Sequence, residues 1–331
     1  MNKINPRLLL ILMVLWGSAG CGSGTTELKP ASSETPPAIS EPQRISEFPL
    51  VVKDYRGQEI EVPQKPVHII SLLPSHTEIL YAIGAGQQMV GCTTSCNYPV
   101  ETKNLKTIAI SDPGAVSLEA LVALKPDLVF LGGDYHRLLA DRLTKLNIPV
   151  LSFESQSVAE IALAIRGISR STGHVESGEE LIRKMNQEIK ELQDRVKPFQ
   201  KQVRPRVFYQ VWDQPLMTAG STSYIGELLQ LIGGENIFND VKIAYPQVSE
   251  ETLILRNPDV ILLPQMKESS VDQAASLLKL SKQPGWKQMN AVKNKRVYLI
   301  EDDLISRPGP RVVQGLQKIA QALYPEAFQE Q

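Results

Sequence analysis

The sequence predicts an α/β protein with two lobes, each with a mostly parallel sheet flanked by helices, joined by one long rigid helix. Three observations support this fold. Apolar strand-like segments alternate with helical segments in two series, at 67–153 and at 206–323. A charged amphipathic segment separates the two series, and a motif of the first recurs in the second. Strands that alternate with helices are typical of a parallel sheet covered on both faces.

The two series divide into individual elements. After a predicted hairpin at 49–63, the first series contains strands at 67–72, 127–132 and 148–153 and helices at 75–84, 117–125 and 135–146. The second series contains strands at 206–211, 259–264 and 296–301 and helical segments at 224–234, 251–257, near 272–280 and near 310–323. Gly84 is expected to end the first helix, so the GAG at 84–86 is a helix stop and not a dinucleotide-binding loop.

Residues 176–196 predict the joining helix. Its apolar residues recur at helical spacing with charges between them, namely Leu181, Ile182, Met185, Ile189, Leu192 and Val196. Such a helix would be roughly 30 Å long, about the width of a small domain. We interpret it as a rigid strut between the lobes; a long surface helix is the simpler alternative.

An internal repeat supports two lobes of related architecture. The segments SLEALVALKPDLVFL (117–131) and SEETLILRNPDVILL (249–263) align without a gap. Each begins with a serine suited to cap a helix, and each has a glutamate two residues later, Glu119 and Glu251. Acidic residues in a first turn favour the helix dipole, so helix capping is a sufficient local reason for both glutamates. It does not explain why they recur as a pair, one on each lobe.

Residues 1–20 have the pattern of a signal peptide. Lys3 and Arg7 precede a short apolar segment, and small residues follow it. Cys21 comes next, and the segment resembles the lipobox of bacterial lipoproteins, in which this cysteine is diacylated. Ser18 departs from that pattern, which usually has an aliphatic residue there, and a plain cleaved signal is the alternative. We expect a protein exported to the periplasm or the outer face of the cytoplasmic membrane and lipid-anchored at Cys21.

The remaining boundaries follow from composition. Ser, Thr, Pro, Gly and Glu dominate the stretch after the lipidated cysteine, so 21–45 is expected to be a flexible tether. We then expect an N-terminal lobe at 46–174, a linking helix at 175–198 and a C-terminal lobe at 199–331.

Several function classes are disfavoured. A net charge of −1 does not suit a nucleic-acid-binding protein. No stretch reaches the roughly 20 apolar residues of a membrane-spanning helix. The four histidines are scattered without ligand spacing, so no metal site is predicted. Cys92 and Cys96 either close a small disulfide outside the cytoplasm or remain two separate thiols.

The helix start around SHTE (75–78) has two readings. Ser75 and His76 could be a hydrolase's nucleophile and base, but neighbouring side chains on a helix diverge, and no G-x-S-x-G elbow is present. Ser75 with Glu78 matches a capping box, which would occupy Glu78 with backbone groups. His76 either faces a ligand cleft or packs in the protein.

The motifs together resemble the substrate-binding proteins of bacterial ABC importers for cobalamin and ferric siderophores, and most closely the cobalamin-binding branch. The resemblance covers roughly 47–325 and rests on IISLLPSHTEILYAIGAG, CNYP, SLEALVALKPDLV, GGENIF, YPQVSEETL and SRPGPRVV. It implies a monomeric binding protein without cofactor or enzymatic activity, which holds its ligand between two lobes that move only modestly. It also implies that Glu119 and Glu251 contact arginines of the ABC permease dimer, a pairing of opposite charges.

Loops that follow strand carboxyl ends are expected to line the cleft. The candidate ligand-binding residues are Tyr98, Asp134, Tyr135, Trp212, Tyr245, Arg307 and His76, with the loop Asp112–Gly114 nearby. Several are aromatic, which suits a bulky and partly apolar ligand such as a corrinoid. The alternative ligand is a ferric siderophore or haem. The candidate loops contain more acidic than basic residues, which disfavours an anionic ligand.

Overall fold

The computed structural model describes residues 47–108, 116–133, 136–201, 204–266 and 272–329. The predicted signal peptide, Cys21 and the tether lie outside this range. So do the Asp112–Gly114 loop, Asp134 and Tyr135.

The first lobe is built on a five-stranded parallel sheet. An antiparallel hairpin, β1 (Leu50–Lys53) and β2 (Glu59–Val62), precedes it. The sheet has the order β5-β4-β3-β6-β7. Its strands are β3 (Ile69–Ser71), β4 (Met89–Thr93), β5 (Lys106–Ile108), β6 (Leu128–Gly132) and β7 (Val150–Phe153). Three of its connections carry helices, α1 (Pro74–Ala82), α2 (Leu118–Val122) and α3 (Arg137–Lys145).

The second lobe repeats this arrangement. Its sheet has the order β10-β8-β11-β12, with β9 pairing antiparallel to the end of β8. The strands are β8 (Arg206–Trp212), β9 (Met217–Thr218), β10 (Glu235–Asn236), β11 (Val260–Gln265) and β12 (Val297–Glu301). The helices are α6 (Tyr224–Leu231), α7 (Glu250–Arg256), α8 (Gln273–Lys282), α9 (Asn290–Lys293), α10 (Asp302–Ile305) and α11 (Val312–Leu323).

Two helices lie between the sheets in sequence. Helix α4 (Val158–Thr172) is capped by Ser157 and ends at Gly173, which has a φ of 74°. This helix was not predicted, although a capping serine, apolar residues at helical spacing and a terminal glycine all mark it. Helix α5 (Val175–Val196) confirms the predicted long helix, at roughly 33 Å for its 22 residues. It packs against both α4 and α11.

The predicted repeat is also a structural repeat. Ser117 accepts a hydrogen bond from the Ala120 amide at 3.1 Å, and Ser249 accepts one from Thr252 at 3.1 Å, so both predicted caps are confirmed. Asp127 accepts hydrogen bonds from the backbone before β3, and Asp259 accepts one from the Arg206 amide at the start of β8. Each Pro-Asp turn therefore ties two neighbouring strands together at their amino ends.

The α/β fold class is confirmed, while the expected lobe boundaries stay a prediction. Most element bounds agree with the sequence analysis to within a few residues. The short strands β4, β5, β9 and β10 were not predicted, because segments of two to five residues carry little periodicity. Among the helices in the described part of the chain, none combines the length and the apolar character needed to cross a membrane.

One apolar cluster runs through both lobes by way of α5. It joins residues of β3 and β6 to residues of β8 and β11, and α5 contributes Ile182, Met185, Ile189, Leu192 and Val196. The strut is therefore part of the core and not a helix lying on the surface.

We expect Ile182→Ala to lower the free energy of unfolding by about 2–5 kcal/mol, because it leaves a cavity in this shared core. Urea unfolding followed by circular dichroism measures the change. Asn186→Ala, on the exposed face of the same helix, is the matched control. Equal effects of the two changes would contradict a core role for α5.

Candidate functional site

The carboxyl edges of the two sheets face each other. Glu78 lies on α1, which follows the carboxyl end of β3, and Arg311 lies just before α11, after β12. The Arg311 guanidinium donates two hydrogen bonds to the Glu78 carboxylate, at 2.9 and 2.7 Å. Both residues are buried. A fork-to-fork pair of this kind fixes both distance and orientation, so it sets how the two edges meet.

A second set of contacts extends this ion pair along one wall of the cleft. Arg307 contacts Asp303 at 2.6 Å and Glu78 at 3.5 Å. Its guanidinium also donates to the Asn97 side-chain oxygen at 2.8 Å, and the Asn97 amide donates to Asp303 at 3.0 Å. Asn97 belongs to the first lobe and Asp303 to the second. Two arginines and two carboxylates thus make a nearly neutral network, which we call the cross-lobe cluster: Glu78, Asn97, Asp303, Arg307 and Arg311.

The cluster corrects the predicted capping box. Helix α1 begins at Pro74, with apolar Leu73 at the N-cap position, so Ser75 lies inside the helix and does not cap it. Glu78 uses both carboxylate oxygens on Arg311. One signal in the sequence pointed to this role: Glu78 is the one acidic residue in the helix PSHTEILYA, which contains no lysine or arginine. Its partner, 233 positions away, could not be found from spacing.

Arg311 also joins the cluster to an aromatic ring. Its guanidinium carbon lies 4.3 Å from the centroid of the Tyr98 ring, a cation–π distance. Burial disfavours the charge on Arg311, yet the hydrogen bonds and charge of Glu78 hold the pKa of its guanidinium above the ordinary value. Tyr98 remains 45% exposed, so the stacking fixes one side of its ring while the rest faces solvent.

The second lobe presents two further predicted aromatic residues. Trp212 ends β8 and is 53% exposed, and its indole N–H donates to the Gln214 carbonyl at 2.9 Å. Tyr245 is 39% exposed and precedes the segment that pairs with Met217 of β9. Because β9 pairs with the carboxyl end of β8, the two rings belong to the same edge of the sheet. Burial raises the pKa of Tyr245, so its phenol is neutral at physiological pH.

The predicted cleft-facing role of His76 is wrong. Its side chain is 3% exposed and packs edge-on against Phe130 and Phe153, with ring centroids 6.3 and 6.1 Å away. Burial lowers the pKa of His76 to about 4. A hydrogen bond with the Phe153 backbone raises this pKa, but by less than burial lowers it. Its Nδ1 atom has no hydrogen-bond partner among the described residues. His76 is therefore a core residue that is neutral at physiological pH.

The thiols of Cys92 and Cys96 are both free and buried. Cys96 directly precedes Asn97 of the cross-lobe cluster. Its sulfur is contacted by the hydroxyls of Thr77 and Thr93, each at 3.2 Å. The pair therefore lies directly behind one wall of the cleft.

The paired glutamates of the repeat lie outside the cluster. Glu119 and Glu251 occupy the first turns of α2 and α7. Their own backbone amides, followed by the hydroxyls of Ser117 and Ser249, lower the pKa of both carboxyls, so both are ionised at neutral pH. Each lobe thus has a carboxylate at an equivalent position, and the first turn of α7 carries Glu250 as a second acid.

Another contact links the two lobes, between α6 and the start of α4. Glu227 of α6 accepts a hydrogen bond from the Val158 amide, at the start of α4, at 3.0 Å. A carboxylate at a helix N-terminus is favourable because free amides and the helix dipole meet it there. Burial raises the pKa of Glu227 in this position. The two lobes are therefore tied at two separate places along their facing edges.

We expect Glu78→Gln to lower the free energy of unfolding by about 3–5 kcal/mol, because Arg311 then keeps a buried charge without a counter-charge. Urea unfolding provides the measurement. Glu179→Gln is the matched control, since Glu179 makes a similar two-bond pair with Arg166 that is about half exposed; we expect a much smaller effect there. A Glu78→Gln variant as stable as this control would contradict the importance of the cross-lobe pair.

We also expect His76 to make stability depend on pH. The unfolded chain protonates His76 below about pH 6.5, whereas the folded chain does so only near pH 4, so the folded state loses stability as pH falls between these values. At about pH 4 this loss reaches about 3 kcal/mol. Urea unfolding of wild type and of His76→Phe at pH 7 and pH 4.5 measures the loss. The difference between the two proteins is the contribution of His76, because the carboxylates titrate in both. Equal losses in both proteins would show that the histidine is not buried in its neutral form.

Known proteins resemble this chain over most of its length. The periplasmic binding protein family model matches residues 69–304. An uncharacterized ABC transporter substrate-binding lipoprotein of Bacillus subtilis (strain 168), YvrC, is 32% identical over 98% of this chain and 97% of its own length. The vitamin B12-binding protein of Pectobacterium carotovorum (strain PC1) is 32% identical over 78% of this chain and 88% of its own.

A solved structure agrees with these matches. The periplasmic vitamin B12 binding protein BtuF of Vibrio cholerae superposes with a TM-score of 0.66 at 27% identity, covering 81% of this chain and all of that one. The suspected resemblance is therefore confirmed at the level of family and fold. This chain belongs to the periplasmic binding protein family and is a substrate-binding protein of the ABC-transporter type.

Proposed function

We propose that this protein is the extracytoplasmic, lipid-anchored substrate-binding component of an ABC importer, and that its ligand is a corrinoid such as cobalamin. One observation carries the choice of ligand. The cleft combines exposed aromatic rings with arginines whose charge is already compensated by carboxylates.

The charge balance disfavours an anionic ligand. Arg307 and Arg311 are the basic residues of the cross-lobe cluster, and each contacts at least one carboxylate at 2.7 Å or less. A ligand that used either arginine as its counter-charge would have to compete with Asp303 or Glu78. A large ligand that carries neutral amides meets no such competition, because this wall offers polar groups without much net charge.

The aromatic residues favour a broad and partly apolar ligand. Tyr98 on the first lobe and Trp212 and Tyr245 on the second expose large parts of their rings at the facing edges. Aromatic faces provide large contact areas with little loss of conformational entropy, since each side chain has few rotatable bonds. A macrocycle with polar substituents suits such walls.

The relatives support the same assignment. YvrC, which is described as a lipoprotein, is 32% identical over 98% of this chain. A protein described as a vitamin B12-binding protein has the same identity over 78% of this chain. We infer from these names, together with the lipobox-like segment at Cys21, that this protein works outside the cytoplasm at a membrane.

A ferric siderophore or haem is the alternative ligand. The specific observation in its favour is the pair of exposed phenols, Tyr98 and Tyr245, because a tyrosine oxygen can ligate ferric iron. The neutral state of Tyr245 and the stacking of Tyr98 under Arg311 make both less available as iron ligands.

We propose no catalytic step. His76 is buried and directed into the core, so it is not accessible as a base, in agreement with the expectation that Ser75 and His76 do not form a catalytic pair. The bound molecule is expected to leave the cleft chemically unchanged and to pass to the permease.

Delivery is expected to use the paired glutamates. Glu119 and Glu251 are ionised and lie on equivalent first turns of the two lobes. A permease dimer that presents two basic sites could contact both at once.

Isothermal calorimetry with cyanocobalamin tests the ligand. We expect binding at micromolar ligand or better, and a loss of at least about tenfold in affinity for Trp212→Ala and for Tyr98→Ala. Leu146→Ala is the control, because Leu146 is exposed at the end of α3, near the amino end of β7 and away from the cleft. Binding of haem or a ferric siderophore without binding of cyanocobalamin would replace the corrinoid by the alternative.

Uptake of labelled cobalamin by cells tests the docking residues. We expect Glu119→Ala and Glu251→Ala to impair uptake while the purified variants keep wild-type affinity, since neither carboxylate contacts the cross-lobe cluster. Glu191→Ala removes an exposed acid from α5 and serves as the control. Loss of ligand binding in either purified variant would rule out a pure docking role.

A further inference from the structure

Cys92 and Cys96 lie together at the end of β4. Cys92 belongs to the strand, and Cys96 follows the turn that closes with the Cys96 amide donating to the Thr93 carbonyl at 3.0 Å. Both side chains are buried, at 1% and 7% exposure, both thiols are free, and both belong to the same apolar core cluster. The fold therefore brings two buried thiols together across one short turn.

The two sulfurs have different neighbours. The Thr77 and Thr93 hydroxyls each lie 3.2 Å from the Cys96 sulfur, and the Thr77 hydroxyl is also 2.9 Å from the Ser71 hydroxyl. The neighbouring Cys92 thiol and the hydroxyls of Thr77 and Thr93 lower the pKa of the Cys96 thiol, although burial opposes this. The neighbouring Cys96 sulfur and burial raise the pKa of Cys92. Cys96 is thus favoured as the thiolate.

We propose that Cys92 and Cys96 are a redox pair that forms a reversible disulfide in the exported protein, with Cys96 as the attacking sulfur. The proposal rests on the export of the chain, which is part of the proposed function, but not on the identity of the ligand. Outside the cytoplasm disulfides persist, so a neighbouring pair of thiols there meets oxidising partners.

The chemistry requires a disulfide as oxidant, either a small-molecule disulfide or a thiol–disulfide oxidoreductase. The Cys96 thiolate attacks one sulfur of the oxidant, forms a mixed disulfide and releases the other sulfur as a thiolate. Cys92 then loses its proton and attacks the Cys96 sulfur, which expels the second thiolate. Two protein thiols are oxidised to one disulfide, and the oxidant is reduced to two thiols that take up both protons.

The position gives the bond a consequence for the cleft. Asn97 and Tyr98 directly follow Cys96, and they contact Arg307, Asp303 and Arg311. Drawing the two sulfurs into a covalent bond acts on the backbone next to these contacts. The oxidation state of the pair is thereby coupled to one wall of the ligand cleft.

Peptide mapping of the full chain tests the proposal. The protein is equilibrated with reduced and oxidised glutathione at a series of ratios, quenched with acid, alkylated in denaturant and digested with trypsin. The peptide 57–103 contains both cysteines and no other. We expect its double alkylation to fall by about tenfold or more at high glutathione disulfide, with a gain of the internally bridged peptide, and to recover on reduction.

Single variants identify the attacking sulfur. With Cys92→Ser, we expect Cys96 to accumulate as its mixed disulfide with glutathione. With Cys96→Ser, we expect Cys92 to react with glutathione disulfide at least about tenfold more slowly than Cys96 does in the first variant. Thr77→Val removes one hydroxyl from the Cys96 sulfur and is expected to slow wild-type oxidation several-fold. A structural role for Thr77 alone would leave this rate unchanged.

The proposal is overturned if both cysteines remain fully alkylated across the series, or if the oxidised product is a dimer between chains. A failed cyanocobalamin titration would not affect these results, because no ligand enters the redox experiment. Conversely, a normal titration with two unreactive thiols would remove the redox pair and leave the binding function in place.

Discussion

The buried pair between Glu78 and Arg311 is the contact on which the cleft depends. Taking two charges out of water is costly, and such a pair is tolerated because each charge meets its partner in good geometry, at 2.7 and 2.9 Å. Neither residue can be lost without leaving the other charged and buried. The pair therefore specifies one arrangement of the two facing edges, whatever its net contribution to stability.

The other contacts between the lobes make this arrangement rigid. Helix α5 runs through the shared core, and Glu227 caps α4 from the opposite lobe. With the lobes tied through the core and at two places on their edges, a large hinge motion would have to break several contacts together. A cleft formed in advance saves the ligand the cost of ordering its walls, which favours binding. Movement is then expected mainly in side chains and loops.

The repeat explains why the two lobes can act as a pair. Asp127 and Asp259 anchor equivalent strand starts, and Ser117 and Ser249 cap equivalent helices. Those caps also place Glu119 and Glu251 in equivalent first turns. The same local chemistry that begins a helix thus produces two matched charges, and a symmetric partner could use both. Capping and docking are compatible roles for one carboxylate.

The sequence by itself determined the α/β class, the long helix, the two lobes and the caps at Ser117 and Ser249, because periodicity and capping act between residues a few positions apart. It missed α4 and the short strands, and it assigned Glu78 to a capping box and His76 to the cleft. Only the tertiary structure decided the roles of Glu78 and His76, since the partner of Glu78 is 233 positions away and His76 is buried by strands from elsewhere in the lobe. Burial and long-range pairing depend on how the elements pack together, and the spacing of residues a few positions apart does not predict this packing.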